Sequence, residues 1–350
     1  MVGLKIENLS KSWADFTLRN VDLTVEDGDY FVILGPTGAG KTLLLETVMG
    51  FHQPDKGRIV LDGQDVTGAP PEKRGFGYVS QNSVLFPHLN VRQNMEFSLK
   101  MKGTPKTERS QTVNKLLEFA GLEAMAHRRP STLSGGEKQK VALMRALAAE
   151  PQTIILDEPL TAIDLEAARE IKNALKQLRL DGKTVIHVTH NQVEAFSLGS
   201  KMAIINSGEI VQTGKPKDIF AKPQSRFVAR FLGYENIFKA KLLEHQGELS
   251  LVSVDGVKVK VAGKVNAAEV TIAVRPEDIV ADLAPIKNAA INVFKGKITE
   301  FVDQGPTVAL TVDAALKLQV IMIKSFFIEK NLETGQEIWL AFKSEAAKIL

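Results

Sequence analysis

The chain has 350 residues, with 44 basic and 41 acidic side chains and a formal net charge of +3. That length suits about two domains of roughly 150 residues, and so mild a charge does not suggest nucleic acid as the main partner. The absence of cysteine excludes disulfides, thiolate metal sites and thiol nucleophiles and suits a reducing compartment, and no apolar run approaches the about 20 residues needed to span a bilayer.

The first residues, Met1-Val2-Gly3-Leu4-Lys5-Ile6-Glu7, alternate like a strand and do not read as a signal peptide. Any tie to a membrane is therefore expected to run through a partner protein. Short alternating runs through residue 32, such as Leu18 to Val25, predict a small antiparallel sheet ahead of a main sheet. Trp13 sits in the polar stretch Lys11–Asp15. On its own it reads as an aromatic plug on that sheet, and the alternative is a flat surface on which adenine stacks.

The apolar run Tyr30-Phe31-Val32-Ile33-Leu34 predicts a buried strand, and Lys41 to Glu46 predicts a helix. Between them stands Gly35-Pro36-Thr37-Gly38-Ala39-Gly40-Lys41-Thr42, which has the G-x-x-x-x-G-K-[ST] spacing of a phosphate-binding loop. Glycines let successive N–H groups curl around phosphate oxygens, and the helix N-terminus adds unsatisfied N–H groups and the positive end of its dipole. Lys41 then brings a point charge to the outer phosphates of ATP, and the Thr42 hydroxyl is a ligand for Mg²⁺.

Further along, Gly50–Gly57 reads as a turn, Arg58–Leu61 as a strand, and Gly77-Tyr78-Val79-Ser80-Gln81 as a short strand ending at Gln81. By itself Gln81 reads as a loop residue, although its amide is able to reach a metal-bound water or the γ-phosphate. The texture from about residue 86 to 150 is helical, with breaks at Gly103-Thr104-Pro105 and Arg129-Pro130-Ser131, and predicts a helical subdomain inserted in an α/β core. Within it, Leu133-Ser134-Gly135-Gly136-Glu137 opens a helix whose start is specified by the capping-box spacing of Ser134 and Glu137. The two glycines after the cap expose amides at a helix N-terminus, a second anion site. Two phosphate sites do not easily serve one nucleotide within one subunit. A head-to-tail homodimer resolves this, each ATP lying between the loop of one copy and Ser134–Gly136 of the other.

Thr153-Ile154-Ile155-Leu156 is apolar throughout, as in a parallel strand buried on both faces, and ends in Asp157-Glu158. Carboxyl ends of such strands are where open α/β sheets bind ligands. Asp157 is expected on the metal and Glu158 at the attacking water as general base. After Asp164 a helix is predicted over about 165–178, and Thr184–Thr189 predicts another buried strand, closing at His190. A histidine there reads as an ordinary end residue or, beside a nucleotide, as a contact to the γ-phosphate. Met202 to Val211 predicts a closing hairpin.

Taken together these residues resemble the ATP-binding cassette family of transport ATPases over about residues 3–232. The phosphate loop, Gln81, the Leu133–Glu137 signature, the Asp157-Glu158 pair, Asp164 and His190 occur in the family's order. The resemblance implies that Trp13 stacks on adenine, that two copies sandwich ATP, and that hydrolysis drives integral membrane permease subunits at the cytoplasmic face. Small departures, Glu137 for glutamine, Asn191 for aspartate and Thr161-Ala162-Ile163-Asp164 for Ser-Ala-Leu-Asp, remove no phosphate, metal or base group. Pro71-Glu72-Lys73-Arg74 and Leu85–Val91 look like the importer branch, which serves sugars, polyamines, sulfate and molybdate and works with an extracytoplasmic solute-binding protein. There the segment after Gln81 receives the membrane subunit. Phe86 and Leu89 read either as that surface or as packing within the helical subdomain.

After a linker at Ala221–Arg226 and a short helix at Phe227–Leu232, short strands at 249–254, 257–261, 270–274, 296–300, 307–312 and 338–342 predict an all-β barrel of oligonucleotide/oligosaccharide-binding type over 233–350. Val274-Arg275-Pro276-Glu277-Asp278-Ile279 resembles a motif of importer ATPases with such a domain, and 291–350 looks like a molybdate-binding repeat. That resemblance places Asn292, Lys343 and Ser344 at an oxyanion site, where amide, ammonium and hydroxyl donors suit a tetrahedral dianion. Glu345, following Ser344, is a departure that opposes an anion. The expectation is an importer ATPase for molybdate or tungstate. Alternatives are a sugar, polyamine or sulfate importer with a structural β-domain, or a soluble family member without a membrane role.

Overall fold

The computed structural model describes residues 2–161, 163–286 and 291–350, without the side chains of Val2 and Ile291; Ala162 of the Thr161–Asp164 motif lies outside the described residues. The first compact unit spans Met1–Pro216 and the second Lys217–Leu350.

In the first unit the three apolar runs become the centre of one sheet. Strand β3 (Tyr30–Leu34) and two later strands, β7 (Thr153–Asp157) and β8 (Thr184–Thr189), are buried at every position. Helix α1 (Lys41–Met49) follows the phosphate loop directly. The six-stranded sheet runs β10-β9-β3-β8-β7-β6, where β6 is Gly77–Val79, β9 Lys201–Asn206 and β10 Glu209–Gly214. All neighbours are parallel except the β9–β10 hairpin. Sequence-distant strands therefore end together: Leu34 lies opposite Thr189, Asp157 opposite Val188, and Val79 opposite Leu156.

A four-stranded antiparallel sheet, order β2-β1-β4-β5, is made from β1 (Val2–Ser12), β2 (Thr17–Glu26), β4 (Lys56–Leu61) and β5 (Gln64–Asp65). Its alternating Leu4, Ile6, Leu18, Val21, Leu23 and Val25 bury against α1 and the main sheet in one core. Arg74 is 2% exposed in this region. Its guanidinium donates to the carbonyls of Thr47, Val48, Thr67 and Ala69, capping the last turn of α1.

The helical texture resolves into α2 (Val91–Met101), α3 (Lys106–Ala120) and α4 (Gly135–Ala148). Both expected α4 capping contacts form: the Ser134 hydroxyl accepts from Glu137 N at 3.2 Å, and Glu137 accepts from Ser134 N at 2.7 Å. Asn94 is buried and its amide holds Phe86, Leu89 and Asn90. The Arg145 guanidinium donates to Val84 O at 2.7 Å and lies over the Phe86 ring. The Phe86 ring lies 4.3 Å from that of Phe97, tilted by 42°, so it packs within the helices. Helices α5 (Leu165–Leu180) and α6 (Gln192–Leu198) complete the unit.

The second unit takes up α7 (Pro216–Ala221) from its second residue and continues with α8 (Arg226–Phe231). Residues 217–232 cluster with this unit, ahead of the division expected at 232/233 from texture. The Tyr234 hydroxyl donates to Phe220 O, and the Arg275 guanidinium lies 4.6 Å from the Tyr234 ring centre and 5.8 Å from that of Phe220. The expected β-rich region consists of two curled antiparallel half-barrels. One has the order β13-β12-β11-β14-β20, with β11 Asn236–Gln246, β12 Leu249–Val254, β13 Val257–Ala262, β14 Glu269–Val274 and β20 Lys348–Ile349. The other is β15-β19-β16-β17-β18, with β15 Val280–Asp282, β16 Ile291–Asp303, β17 Thr307–Asp313, β18 Lys317–Ile323 and β19 Glu337–Lys343; helix α9 (Lys324–Glu329) follows β18. Val, Ile and Leu side chains from both sheets share one core.

Candidate active site

The carboxyl ends of β3, β8, β7 and β6 are neighbours in that order, so the sheet topology gathers Gly35–Thr42, His190, Asp157-Glu158 and the segment leading to Gln81 at one edge. Gly40 enters α1 with φ of +97°, and a Cβ there would stand 2.5 Å from the Phe16 ring. Only glycine fits this position on both counts. The contact also puts Phe16, which sequence reasoning passed over, against the phosphate loop. Its only signal was a second aromatic three residues after Trp13. Trp13 is half-buried on the antiparallel-sheet core, edge-on to His52 at 5.4 Å. The half-exposed indole is compatible with either role expected of it.

Lys41 folds back across the loop, donating to Gly35 O at 2.9 Å and Pro36 O at 3.0 Å, with Glu158 Oε1 3.6 Å away. Burial pushes its ammonium below the usual range, against the opposing pull of Glu158 and Asp157. The Thr42 hydroxyl lies 3.1 and 3.3 Å from the two carboxylate oxygens of Asp157. Asp157 is 2% exposed, and burial, with Glu158 and Glu46 nearby, raises its carboxyl against the Thr42 hydrogen bond and Lys41.

Glu158 has a left-handed backbone, φ +46°, a strained conformation for a non-glycine residue. Its N–H donates to Val188 O at 2.9 Å, and its carboxylate meets His190 Nδ1 and the Thr161 hydroxyl, each at 3.1 Å. Thr161 was not foreseen as a partner, because nothing local in sequence distinguishes it from a loop threonine. The structure thus joins Lys41, Glu158 and His190 in one chain of contacts beside the Thr42–Asp157 pair. Gln81 is exposed, two residues beyond β6.

Ser134 and Gly135 are exposed, but Gly136 is buried and differs from the expectation of two bare amides. A Cβ on it would stand 2.3 Å from Ala167 Cβ. The second glycine is required by close approach of α4 to α5. Asp164 caps α5 through Ala167 N at 2.9 Å, so the start of α5 is fixed at the same contact.

In the second unit, Asn292 pairs with Phe342 across β16 and β19, next to Lys343. Its buried amide accepts from Lys260 N at 2.7 Å and donates to Lys260 O at 2.9 Å. Ser344 is buried, Lys343 exposed. A cavity of ≈ 690 Å³ is lined by Lys343 and Lys348 but also by Glu277, Asp278 and Glu345.

Comparison with known proteins agrees with this geometry. Residues 18–161 match the ABC transporter family and residues 272–350 the TOBE domain family. The molybdate/tungstate import ATP-binding protein WtpC of Pyrococcus horikoshii is 40% identical over 99% of both chains. The spermidine/putrescine import ATP-binding protein PotA of Thermotoga maritima is 40% identical over 87% of this chain and 85% of its own. A dimeric ATP-binding cassette in a post-hydrolysis state, bound to ADP and Pi, is 30% identical with a TM-score of 0.55, covering 61% of this chain and 98% of the other. With a nucleotide-binding edge and relatives along its full length, the chain belongs to the ABC transporter family, as the ATP-hydrolysing subunit of an importer.

Proposed function

We propose that the imported solute is molybdate or tungstate, and that ATP is hydrolysed with Glu158 as general base and His190 aligning the water. The assignment of Glu158 is carried by its contacts: a carboxylate on a left-handed backbone, held by His190 and Thr161 beside the lysine of the phosphate loop. Lys41 exchanges its two carbonyl acceptors for phosphate oxygens. The Gly35–Thr42 amides, with Thr37, Gly38 and Ala39 at the turn, cradle the phosphates, and Trp13 stacks on the base.

The donor set at the loop suits Mg²⁺. Thr42 and the buried Asp157 present oxygens side by side, and among the described residues no group of three or more His, Asp or Glu forms a self-sufficient metal cage. Mg²⁺ is commonly held by one or two protein oxygens plus substrate phosphates. Thr42 and Asp157 would hold it, with Gln81 reaching a bound water. The ion supplies charge neutralisation on the phosphates. Glu158→Gln is expected to lower turnover at least about 10²-fold while ATP binding persists; near-normal steady-state hydrolysis would overturn the base assignment.

Two copies are proposed to sandwich two ATP, each completed by Ser134–Gly136 of the other chain with Asp164 nearby. Among the described residues no helix is long and apolar enough to cross a membrane. The family and the import ATP-binding relatives support a dimer that acts on permease subunits at the cytoplasmic face, fed by an extracytoplasmic solute-binding protein.

Full-length likeness to WtpC favours the oxyanion, and the second reading, a polyamine, is favoured by the equal identity to PotA. Uptake by the reconstituted transporter, with molybdate, tungstate and spermidine in competition, decides between them. An oxyanion sensor at Asn292, Lys343 and Ser344 would use the exposed Lys343 as its cation, with Lys348 in the same cavity offsetting Glu345. Calorimetry on the full chain should then show tungstate or molybdate binding that Lys343→Glu removes; no heat with either anion would leave the second unit a structural module.

A further inference from the structure

A line of buried polar groups lies behind the catalytic edge and has no part in the chemistry described above. The Tyr30 hydroxyl, at the start of β3, is 2.9 Å from His187 Nδ1 inside β8. Tyr30 and His187 are both 0% exposed. With the phenol as donor, the ring proton is on Nε2, which faces Glu194 on α6 at 3.5 Å. That is too long for a good hydrogen bond, and among the described residues Nε2 has no hydrogen-bond partner. Glu194 is 8% exposed and accepts from the Thr189 hydroxyl at 2.7 Å. The same hydroxyl oxygen accepts from Asn191 N at 3.0 Å. Asn191 in turn caps α6 through Val193 N and Glu194 N.

The residue enclosed by Thr189 and Asn191 is His190. Its neighbours on either side are joined through one hydroxyl, and that hydroxyl is oriented by one carboxylate. The Thr189 carbonyl also faces Gly35 N, the first residue of the phosphate loop, at 3.4 Å. A buried carboxylate is costly unless it is hydrogen-bonded or paired. Here those bonds fix the turn from which His190 meets Glu158 at 3.1 Å. We infer that Glu194 is a positioning residue for His190, acting through the Thr189 hydroxyl to hold the imidazole against Glu158. The inference rests on the reading of Glu158 and His190 given above.

The test is steady-state ATP hydrolysis by the full-length chain. Thr189→Val replaces the hydroxyl by a methyl of similar size and is expected to lower kcat about tenfold or more, because a small misplacement of a catalytic group is costly. KM for ATP should stay within about twofold, since ground-state binding is untouched. Thr189→Ser, which keeps the hydroxyl, should restore most of kcat. Glu194→Leu should match Thr189→Val, and the double variant should be no slower than either, since both remove one contact. An unaltered kcat in Thr189→Val, a KM rising in step with the loss, or a multiplied effect in the double variant would overturn the inference. If Glu194→Leu does not fold, the valine and serine variants of Thr189 still decide it. His190→Ala separates the two levels. Full activity there removes the underlying reading, whereas an inactive His190→Ala with a normal Thr189→Val removes this inference alone.

Discussion

Asp157 shows how the site departs from what stability alone would select. Burial raises its carboxyl, so the folded chain holds that proton more tightly than the unfolded chain. An acid raised in this way makes stability fall as pH climbs from the unfolded carboxylate value toward the folded one. Asp157→Asn removes the slope and still offers an oxygen to Thr42. Without nucleotide, the variant's stability advantage over the parent should therefore grow as pH rises above the ordinary carboxylate value and level off once the folded carboxyl has ionised. Urea unfolding at several pH values measures it, and a pH-independent difference would count against the argument. Turnover of the variant should be lost. That Asp157 and Glu158 would face a nucleotide was readable, because an apolar strand ending in carboxylates is a local signal. The partners of Glu158 were less readable. His190 was named, but Thr161 was not, nor was the buried Glu194 that bonds Thr189 behind His190, since a polar residue in a helix or loop carries no mark of which strand it will meet.

At the level of the elements, Gly136 is where the sequence reading and the packing part. Two glycines after a cap read as exposed amides, yet one of them lets α4 approach Ala167 of α5. Gly136→Ala should destabilise the chain by about 1–3 kcal/mol through overpacking. Ala167→Gly in the same chain should recover part of that loss by removing the opposing methyl, less about 1 kcal/mol for glycine within a helix. Chemical denaturation of the three variants checks the order, and a double variant weaker than both singles would refute the contact. Arg74 makes the same point for α1. It was read as part of a motif, whereas its place is inside the fold, holding four carbonyls. Arg74→Met leaves those acceptors buried and should cost of order 3 kcal/mol or more. A loss much below 1 kcal/mol would mean that water reaches them.

Across the whole molecule, the α/β order was legible because each buried strand is a continuous apolar run. The second unit was harder. Strand texture was read from about residue 237, but β11, β15, β18 and β20 were not among the strands named: β11 has no buried position in its second half, and β15 and β20, at three and two residues, are too short to show a period. No single-chain periodicity reports the pairing of two copies, so the proposed sandwich calls for a test by complementation. Lys41→Ala disables the phosphate loop and leaves Ser134 intact, whereas Ser134→Arg does the reverse. Each variant alone should be inactive. In an equal mixture, a heterodimer joins the intact loop of one chain to the intact Ser134 of the other, and its opposite site carries both lesions. With random pairing and independent sites, roughly a quarter of parental turnover should return. A site built within one chain would be broken in every copy by one change or the other, and mixing would then restore nothing. The recovered rate therefore reports directly whether Ser134–Gly136 serves its own loop or its neighbour's.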